Sequence, residues 1–225
     1  MRLAARCYAR YVLPLTLLST VMFAPLLAYG LLSKVPTELG PGWRMVMVSW
    51  GAVATAWIVQ YLLVGGAAPL ARSIAAGKPL SQLAALRVAI HGVVRAVLPI
   101  LIVVAAVALG SLALAIPGLV LGVLLSLTGA STRGGLSEPL LESVELVRKH
   151  LKLAIFAVVA ILAVDFAIVA LPFVITLGPL SPRPSPEELA TARRILQITA
   201  IGLSIVTPMA ACVLASIAVR SRSSA

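Results

Sequence analysis

Residues 96–132 read AVLPILIVVAAVALGSLALAIPGLVLGVLLSLTGAST, a run of 37 residues without a charged side chain. One α-helix of this length would extend about 55 Å, whereas the hydrocarbon core of a bilayer is about 30 Å thick. We therefore expect the run to fold as a hairpin of two helices at about 94–114 and 117–132. Breaker residues place the turn either at Gly110-Ser111 or at Pro117-Gly118, and the sequence leaves both open.

Four more apolar stretches flank this run. They lie at about 11–32, 45–66, 153–178 and 195–219. The whole chain is 61% hydrophobic and only 11% charged, with a mean hydropathy of +1.09. This composition excludes a water-soluble enzyme and predicts an all-α polytopic transmembrane bundle of six helices, a single integral membrane domain over residues 1–225.

The charges predict the orientation of the bundle. The formal net charge is +11, and a cytoplasmic N-terminus places 13 of the 18 lysines and arginines on the inner side. This distribution obeys the positive-inside rule and puts both termini in the cytoplasm. Arginine far outnumbers lysine, which favours a bacterial inner-membrane protein. The sequence has no basic face with interleaved aromatic residues, so we expect no nucleic-acid partner.

Two segments between the apolar stretches have the pattern of cytoplasmic, interfacial amphipathic helices. In the first, residues 79–95, Arg87, His91 and Arg95 recur every four residues and form one basic stripe. We expect this stripe to contact the headgroups of anionic phospholipids.

The second segment, residues 137–152, opens with Ser137, a residue typical of helix N-caps. Its basic residues are further candidates for headgroup contacts: Arg148, Lys149 and Lys152. Four apolar side chains define the face that we expect to be buried, with Glu142 on another face. They are Leu140, Val144, Val147 and Leu151.

Asp165 is the only aspartate of the chain and lies in the middle of the fifth apolar helix. A carboxylate at the centre of a membrane is costly, so it must be buried, paired or protonated. One interpretation is a proton or cation relay in transport, and the other is a hydrogen-bonded residue that joins helices. The candidate partners are Gln60, Gln197, Thr207 and the basic residues near the membrane interface.

Small residues recur every four positions in the predicted fourth helix, at Gly118, Gly122, Ser126 and Ala130. Such a stripe lets helix backbones approach closely, so we expect these residues to pack helices together. The packing is either within the chain or between copies in a homo-oligomer.

No metal, cofactor or catalytic residue is predicted. His91 and His150 have no ligand-like neighbours at metal-binding spacing, and the common hydrolase and phosphate-loop motifs are missing from the sequence. Cys7 and Cys212 lie in the N-terminal segment and the last apolar stretch, so we expect them at different membrane depths and not in a disulfide.

The run that begins at Ile116-Pro117-Gly118, together with the segment from Glu138 to His150, resembles a known pattern. It is similar to the bacterial six-helix membrane proteins grouped with the membrane domain of glycerophosphodiester phosphodiesterases. The resemblance covers residues 75–178 and implies a membrane-domain fold without implying an activity. Arg133-Gly134-Gly135 stands where that family usually has an acidic residue before glycine.

The scarcity of polar groups at membrane depth favours a non-enzymatic protein, a scaffold or an accessory subunit of a membrane assembly. Its expected partners are the bilayer, anionic phospholipids on the cytoplasmic face, and a membrane protein or a second copy. The alternative function is a small transporter or channel that uses Asp165.

Overall fold

The structure is a computed structural model, and it describes residues 2–32, 41–113, 115–132, 137–177 and 186–223. Seven α-helices follow one another along these residues, none of which belongs to a β-strand. They are α1 (Arg2–Leu32), α2 (Pro41–Ala75), α3 (Gln82–Ala113), α4 (Ala115–Leu124), α5 (Glu138–Lys149), α6 (Leu151–Leu177) and α7 (Pro186–Ser223). A short 3₁₀ helix, Thr128–Ala130, lies between α4 and α5. The all-α class is confirmed.

Five of the described helices contain a segment that is long and apolar enough to cross a membrane, as expected of a membrane protein. The segments are Arg2–Pro25, Thr55–Ala75, Gln82–Val107, Leu151–Val169 and Arg194–Arg222. In α2 and in α7, 61% of the apolar segment is buried inside the bundle, whereas in α1, α3 and α6 the buried share is 28–33%. Helices α2 and α7 therefore form the centre, and the other three expose most of their apolar surface.

The N-terminal helix α1 is kinked and is joined to the start of α3. The backbone of Tyr11 leaves the helical region, and Pro14 follows three residues later. Because Pro14 has no N–H, the carbonyl of Arg10 loses its helical partner. Gln82 Nε2 donates to that carbonyl at 2.9 Å, and the backbone N–H of Leu80 donates to the Tyr11 hydroxyl at 2.8 Å. The kink therefore places α1 against the loop between α2 and α3.

The predicted interfacial helix over residues 79–95 is not a separate element. Helix α3 runs without interruption from Gln82 to Ala113, so the basic stripe belongs to the first half of a spanning helix. The sequence prediction placed a boundary there because of the charges of Arg87, His91 and Arg95. Between Gln82 and Arg95 the only helix-weakening residue is Gly92, which α3 tolerates, so the helix continues through the basic stripe.

The uncharged run 96–132 is a hairpin, as predicted. Helix α3 ends at Ala113 and α4 begins at Ala115, so the break falls between the two candidate turns. The guanidinium of Arg95 donates to the carbonyl of Thr132 at 3.0 Å, which shows that the run returns to the end where it began.

The returning half of the hairpin is not one helix, contrary to the prediction for 117–132. Helix α4 has 10 residues, about 15 Å, and ends at Leu124. The chain then unwinds before the 3₁₀ helix. Ser143 of α5 compensates for the break, because its hydroxyl accepts from the N–H of Leu127 at 3.2 Å and donates to the carbonyl of Leu124 at 2.8 Å.

Helix α5 is a separate helix, but it buries a different face from the predicted one. Its buried residues are Pro139, Glu142, Ser143, Leu146 and Val147. Glu142 and Ser143 turn inward because the unwound chain offers them hydrogen-bond partners. Of the four residues expected inside, Val147 is buried and Leu151 is exposed at the start of α6. Ser137 precedes the helix, but its side chain makes no capping bond.

Candidate functional site

Three segments meet at glycines near one end of the bundle. Gly65 of α2, Gly92 of α3 and Gly129 of the 3₁₀ helix bring their backbones into direct contact. A Cβ atom at Gly65 would lie 2.8 Å from the Gly92 carbonyl oxygen, and one at Gly129 would lie 2.5 Å from the carbonyl oxygen of Tyr61. No larger residue fits at these positions unless the backbones separate.

A cavity of about 460 Å³ lies beside this junction, between α2, α3, the 3₁₀ helix and the start of α5. Its charged lining is entirely basic among the described residues. Arg72 comes from α2, whereas Arg87, His91 and Arg95 come from successive turns of α3. The structure thus joins the predicted basic stripe to an arginine from a second helix.

Two of these arginines, with Arg222 of α7, bind the carbonyl groups where the unwound segment ends. Arg222 Nη2 donates to the carbonyl of Ala130 at 2.9 Å, and Arg72 Nη1 donates to the same carbonyl at 3.4 Å. Arg95 donates to Thr132, as described above. We call this region, with Glu142, the charged end of the bundle. Its carbonyls carry partial negative charge, which attracts the arginines.

Glu142 is the buried carboxylate of the charged end. It accepts hydrogen bonds from Arg222 Nη2 at 2.5 Å and Nε at 3.0 Å, from the backbone N–H of Thr132 at 3.1 Å, and from the hydroxyl of Ser131. Arg72 lies close enough to Arg95 and Arg222 to be repelled by both, and Glu142 attracts it. The charged end thus contains three guanidinium groups and the carboxylate of Glu142. The charged end keeps an excess of positive charge.

Thr128 adds an unpartnered polar group to the cavity lining. Its side chain is only 3% exposed, and its hydroxyl has no hydrogen-bond partner within the described ranges. A buried hydroxyl without a partner costs free energy, so the position favours a ligand that accepts a hydrogen bond.

The remaining basic candidates lie elsewhere. Arg148, Lys149 and Lys152 are exposed around the junction of α5 and α6 and do not line this cavity. The structure therefore brings together three of the six predicted headgroup contacts.

The small residues of the predicted stripe, Gly118, Gly122, Ser126 and Ala130, are all buried. They do not form a continuous helical stripe, because α4 ends before Ser126. A Cβ atom at Gly122 would meet Trp57 and Tyr61 only at ordinary van der Waals distances. The close approach of backbones occurs instead at Gly65, Gly92 and Gly129.

Asp165 is 1% exposed in α6, and neither of its carboxylate oxygens has a hydrogen-bond partner in the part of the chain that the structure describes. The predicted partners do not reach it. The side-chain oxygens of Gln60 and Thr207 are themselves buried without partners, and Gln197 is half-buried.

The two cysteines are in contact, contrary to the expectation of different depths. Cys7 and Cys212 are both buried free thiols and lie close enough to interact with each other. The contact follows from the packing of α1 along α7. Among the described residues, no group of three or more histidine, cysteine, aspartate or glutamate side chains is placed to hold a metal ion.

The sequence reasoning missed the most important polar residues of the charged end. Arg72 and Arg222 are only counted among the 13 inner basic residues, and Glu142 is placed on a face other than the buried one. A signal was present in α5, where Pro139, Glu142, Ser143 and Leu146 share one helical face. The glycines at positions 65 and 92 were also a signal, since glycine within a helical pattern often marks close packing.

No protein-family model matches the chain, and neither a curated protein nor a solved structure shows significant similarity to it. The likeness to the glycerophosphodiester phosphodiesterase membrane domain thus rests on its motif alone.

Proposed function

We propose that this chain is a non-enzymatic, multi-pass protein of a bacterial inner membrane that acts as a scaffold or an accessory subunit. The observation that carries the proposal is that the carboxylate of Glu142 is taken up by structural hydrogen bonds. This buried carboxylate bonds to Arg222, Thr132 and Ser131, so it joins α5, α7 and the unwound segment and does not face a space for reactants.

The exposed faces of the outer helices support a role in assembly. On α6, Phe156 is 66% exposed and Phe166 is 63% exposed, and on α3 Leu109 is 67% exposed. These apolar faces contact lipid tails or the helices of a partner. The motif that resembles the glycerophosphodiester phosphodiesterase membrane domain is consistent with a membrane domain that has no chemistry of its own.

The proposal is tested by purifying the full chain in lipid nanodiscs and identifying every co-purifying protein by mass spectrometry. A membrane protein present in stoichiometric amount is the expected result. A homogeneous chain without any partner, at native expression level and in several mild detergents, would overturn the accessory-subunit function.

The proposed orientation places both termini and the charged end in the cytoplasm. It is tested with a variant that lacks Cys7 and Cys212 and carries a single new cysteine near Pro41 or Pro184. We expect both positions to react with an impermeant thiol reagent in intact cells. Reaction only after lysis would reverse the orientation.

A small transporter is the second candidate, and the isolation of Asp165 favours it. Ionisable residues inside a membrane are usually paired or functional, and this one has no partner among the described residues. If it relays protons or cations, Asp165→Asn should abolish flux in proteoliposomes while the variant still folds. Normal flux through Asp165→Asn would exclude the relay, and a loss of folding would assign the residue to helix packing.

A further inference from the structure

We propose that the basic cavity beside Gly65, Gly92 and Gly129 binds the phosphate group of an anionic phospholipid. This site is independent of the scaffold and transporter functions proposed above, because it concerns what occupies the cavity and not what the protein assembles or moves.

Charge is the first argument. The cavity is lined by three arginines and a histidine, and no carboxylate belongs to its described lining. Glu142, the acid that acts on Arg72, is already paired with Arg222. Arginine binds phosphate oxygens through two parallel N–H donors, and phosphate is the common biological anion that satisfies several arginines at once.

The spacing of these donors suits one ligand. Arg87, His91 and Arg95 lie on one face of α3, separated by about 6 Å of helix rise per step. Arg87 and His91 are exposed at the cavity and have no hydrogen-bond or ion-pair partner within the described ranges. Their donors therefore remain for a ligand, whereas Arg95 also holds the end of the hairpin.

The hydroxyl of Thr128 is the second, independent argument. Thr128 lines the cavity, and its hydroxyl is buried without a hydrogen-bond partner among the residues that the structure describes. An anionic oxygen that accepts a hydrogen bond from this hydroxyl would satisfy it. A purely apolar ligand would leave it unsatisfied, so the lining selects a ligand that carries acceptor oxygens.

The surroundings of the cavity favour a lipid over free phosphate. Leu98 lines the cavity and is 55% exposed. Val94 and Leu101, which are 65% and 56% exposed, continue the same face of α3. A phospholipid bound by its phosphate can lay its acyl chains along this apolar face, as in basic pockets between transmembrane helices. The volume of about 460 Å³ lies within the range of about 300–1,000 Å³ that is typical of ligand pockets.

The glycine junction holds the cavity in shape before any ligand binds. The backbones at Gly65, Gly92 and Gly129 are already in contact. Helices α2 and α3 and the 3₁₀ helix therefore cannot approach one another further and close the cavity. A preformed site loses little free energy to reorganisation when the ligand arrives.

The test is native mass spectrometry of the full chain in detergent, titrated with phosphatidylglycerol. The variant is Arg87→Gln, and the matched control is Arg148→Gln, an exposed arginine outside the cavity. We expect Arg87→Gln to weaken the first bound lipid about tenfold, as for the loss of one charge-assisted contact, and Arg148→Gln to change it less than about twofold. Equal losses in the two variants would refute the cavity and indicate general surface attraction.

A second variant, Thr128→Val, removes the unpartnered hydroxyl at nearly constant volume. We expect it to keep the unfolding midpoint of the parent and to weaken the lipid about fivefold. Unchanged binding would contradict the argument that the Thr128 hydroxyl bonds to the ligand, and with it the placement of the phosphate in this cavity. If Arg87→Gln failed to fold, this variant would decide the proposal.

A parallel titration with inorganic phosphate separates the two sources of the phosphate group. We expect inorganic phosphate to displace none of the bound lipid at concentrations up to about 10 mM, a range in which a ligand of millimolar affinity would bind. Displacement that is lost in Arg87→Gln would overturn the lipid as ligand and assign the cavity to soluble phosphate.

Discussion

Removal of the Glu142 carboxylate should cause the largest loss of stability of any single polar substitution at the charged end. Glu142 is 6% exposed and accepts hydrogen bonds from Arg222, Thr132 and Ser131. Breaking a buried ion pair by removing one partner costs about 3–5 kcal/mol. The Arg222 side chain is 24% exposed, so water regains access to part of it, and we expect about 3 kcal/mol for Glu142→Ala.

A double-mutant cycle separates the pair from its surroundings. Arg222→Met keeps the apolar stem and removes the charge, and we expect it to cost less than Glu142→Ala because the carboxylate keeps the hydrogen bonds from Thr132 and Ser131. The double variant should lose clearly less than the sum of the two single variants, with a coupling free energy of about 2 kcal/mol. Glu138→Ala is the control, because this exposed acid in the first turn of the same helix has no hydrogen-bond partner among the described residues. Its interaction with the helix dipole is worth below about 1 kcal/mol.

The assay is reversible unfolding in mixed micelles by increasing the fraction of a denaturing detergent, followed by tryptophan fluorescence. The free energies of unfolding of the parent, both single variants and the double variant give the cycle. Two results would refute the view that this ion pair holds the charged end together. One is additive losses in the cycle, and the other is a loss below about 0.5 kcal/mol for Glu142→Ala, as for an ordinary surface substitution.

Three further predictions concern contacts away from the ion pair. Gly92→Ala should lower the free energy of unfolding by about 1–3 kcal/mol in the same assay, because its Cβ would overlap the backbone carbonyl of Gly65. The control Gly122→Ala should be nearly neutral. Equal losses in the two variants would contradict the close contact at the glycine junction. Ser143→Ala should cost about 2 kcal/mol because two buried backbone groups at the helix break lose their partner, and a neutral effect would contradict its bridging role. Cys7 and Cys212 should resist a membrane-permeant maleimide until the protein unfolds, as intact mass will show, and rapid alkylation in the native state would contradict the packing of α1 on α7.

The hairpin could be predicted from the sequence because its cause is local. A run of 37 uncharged residues is too long for one crossing, so length alone requires a turn. The position of the turn could not be decided, because Gly110-Ser111 and Pro117-Gly118 are equally good local signals. The structure keeps both pairs inside helices, where a proline in the first turn of α4 and a glycine in α3 are tolerated.

The face of α5 could not be predicted, because its cause lies elsewhere in the chain. Apolar periodicity placed Leu140 and Val144 inside and Glu142 outside, as for a helix on an apolar surface. The actual neighbour of α5 is a stretch of unwound backbone, which offers hydrogen-bond partners to Glu142 and Ser143. Only knowledge that α4 ends at Leu124 would have reversed the prediction.

The predicted start of the third spanning helix was wrong for a similar reason, because the charges of α3 depend on neighbours elsewhere in the chain. A charged residue usually indicates the end of a membrane span, so Arg87, His91 and Arg95 were assigned to a helix outside the membrane. In the fold these side chains face a cavity, so α3 continues through them. Charge density predicts exposure to a polar environment, but it does not distinguish water from a polar cavity within the bundle.

The basic cavity follows from the way in which the bundle accommodates its shortest helix. Because α4 ends at Leu124, the carbonyls of Ala130 and Thr132 emerge without helical partners in an apolar bundle, and such groups must be satisfied within the protein. Arginines from α2, α3 and α7 satisfy them, and a single buried carboxylate, that of Glu142, balances only one of these charges. The excess positive charge is therefore a consequence of stabilising the break, and under our proposal the adjoining cavity presents that charge to the phosphate groups of membrane lipids.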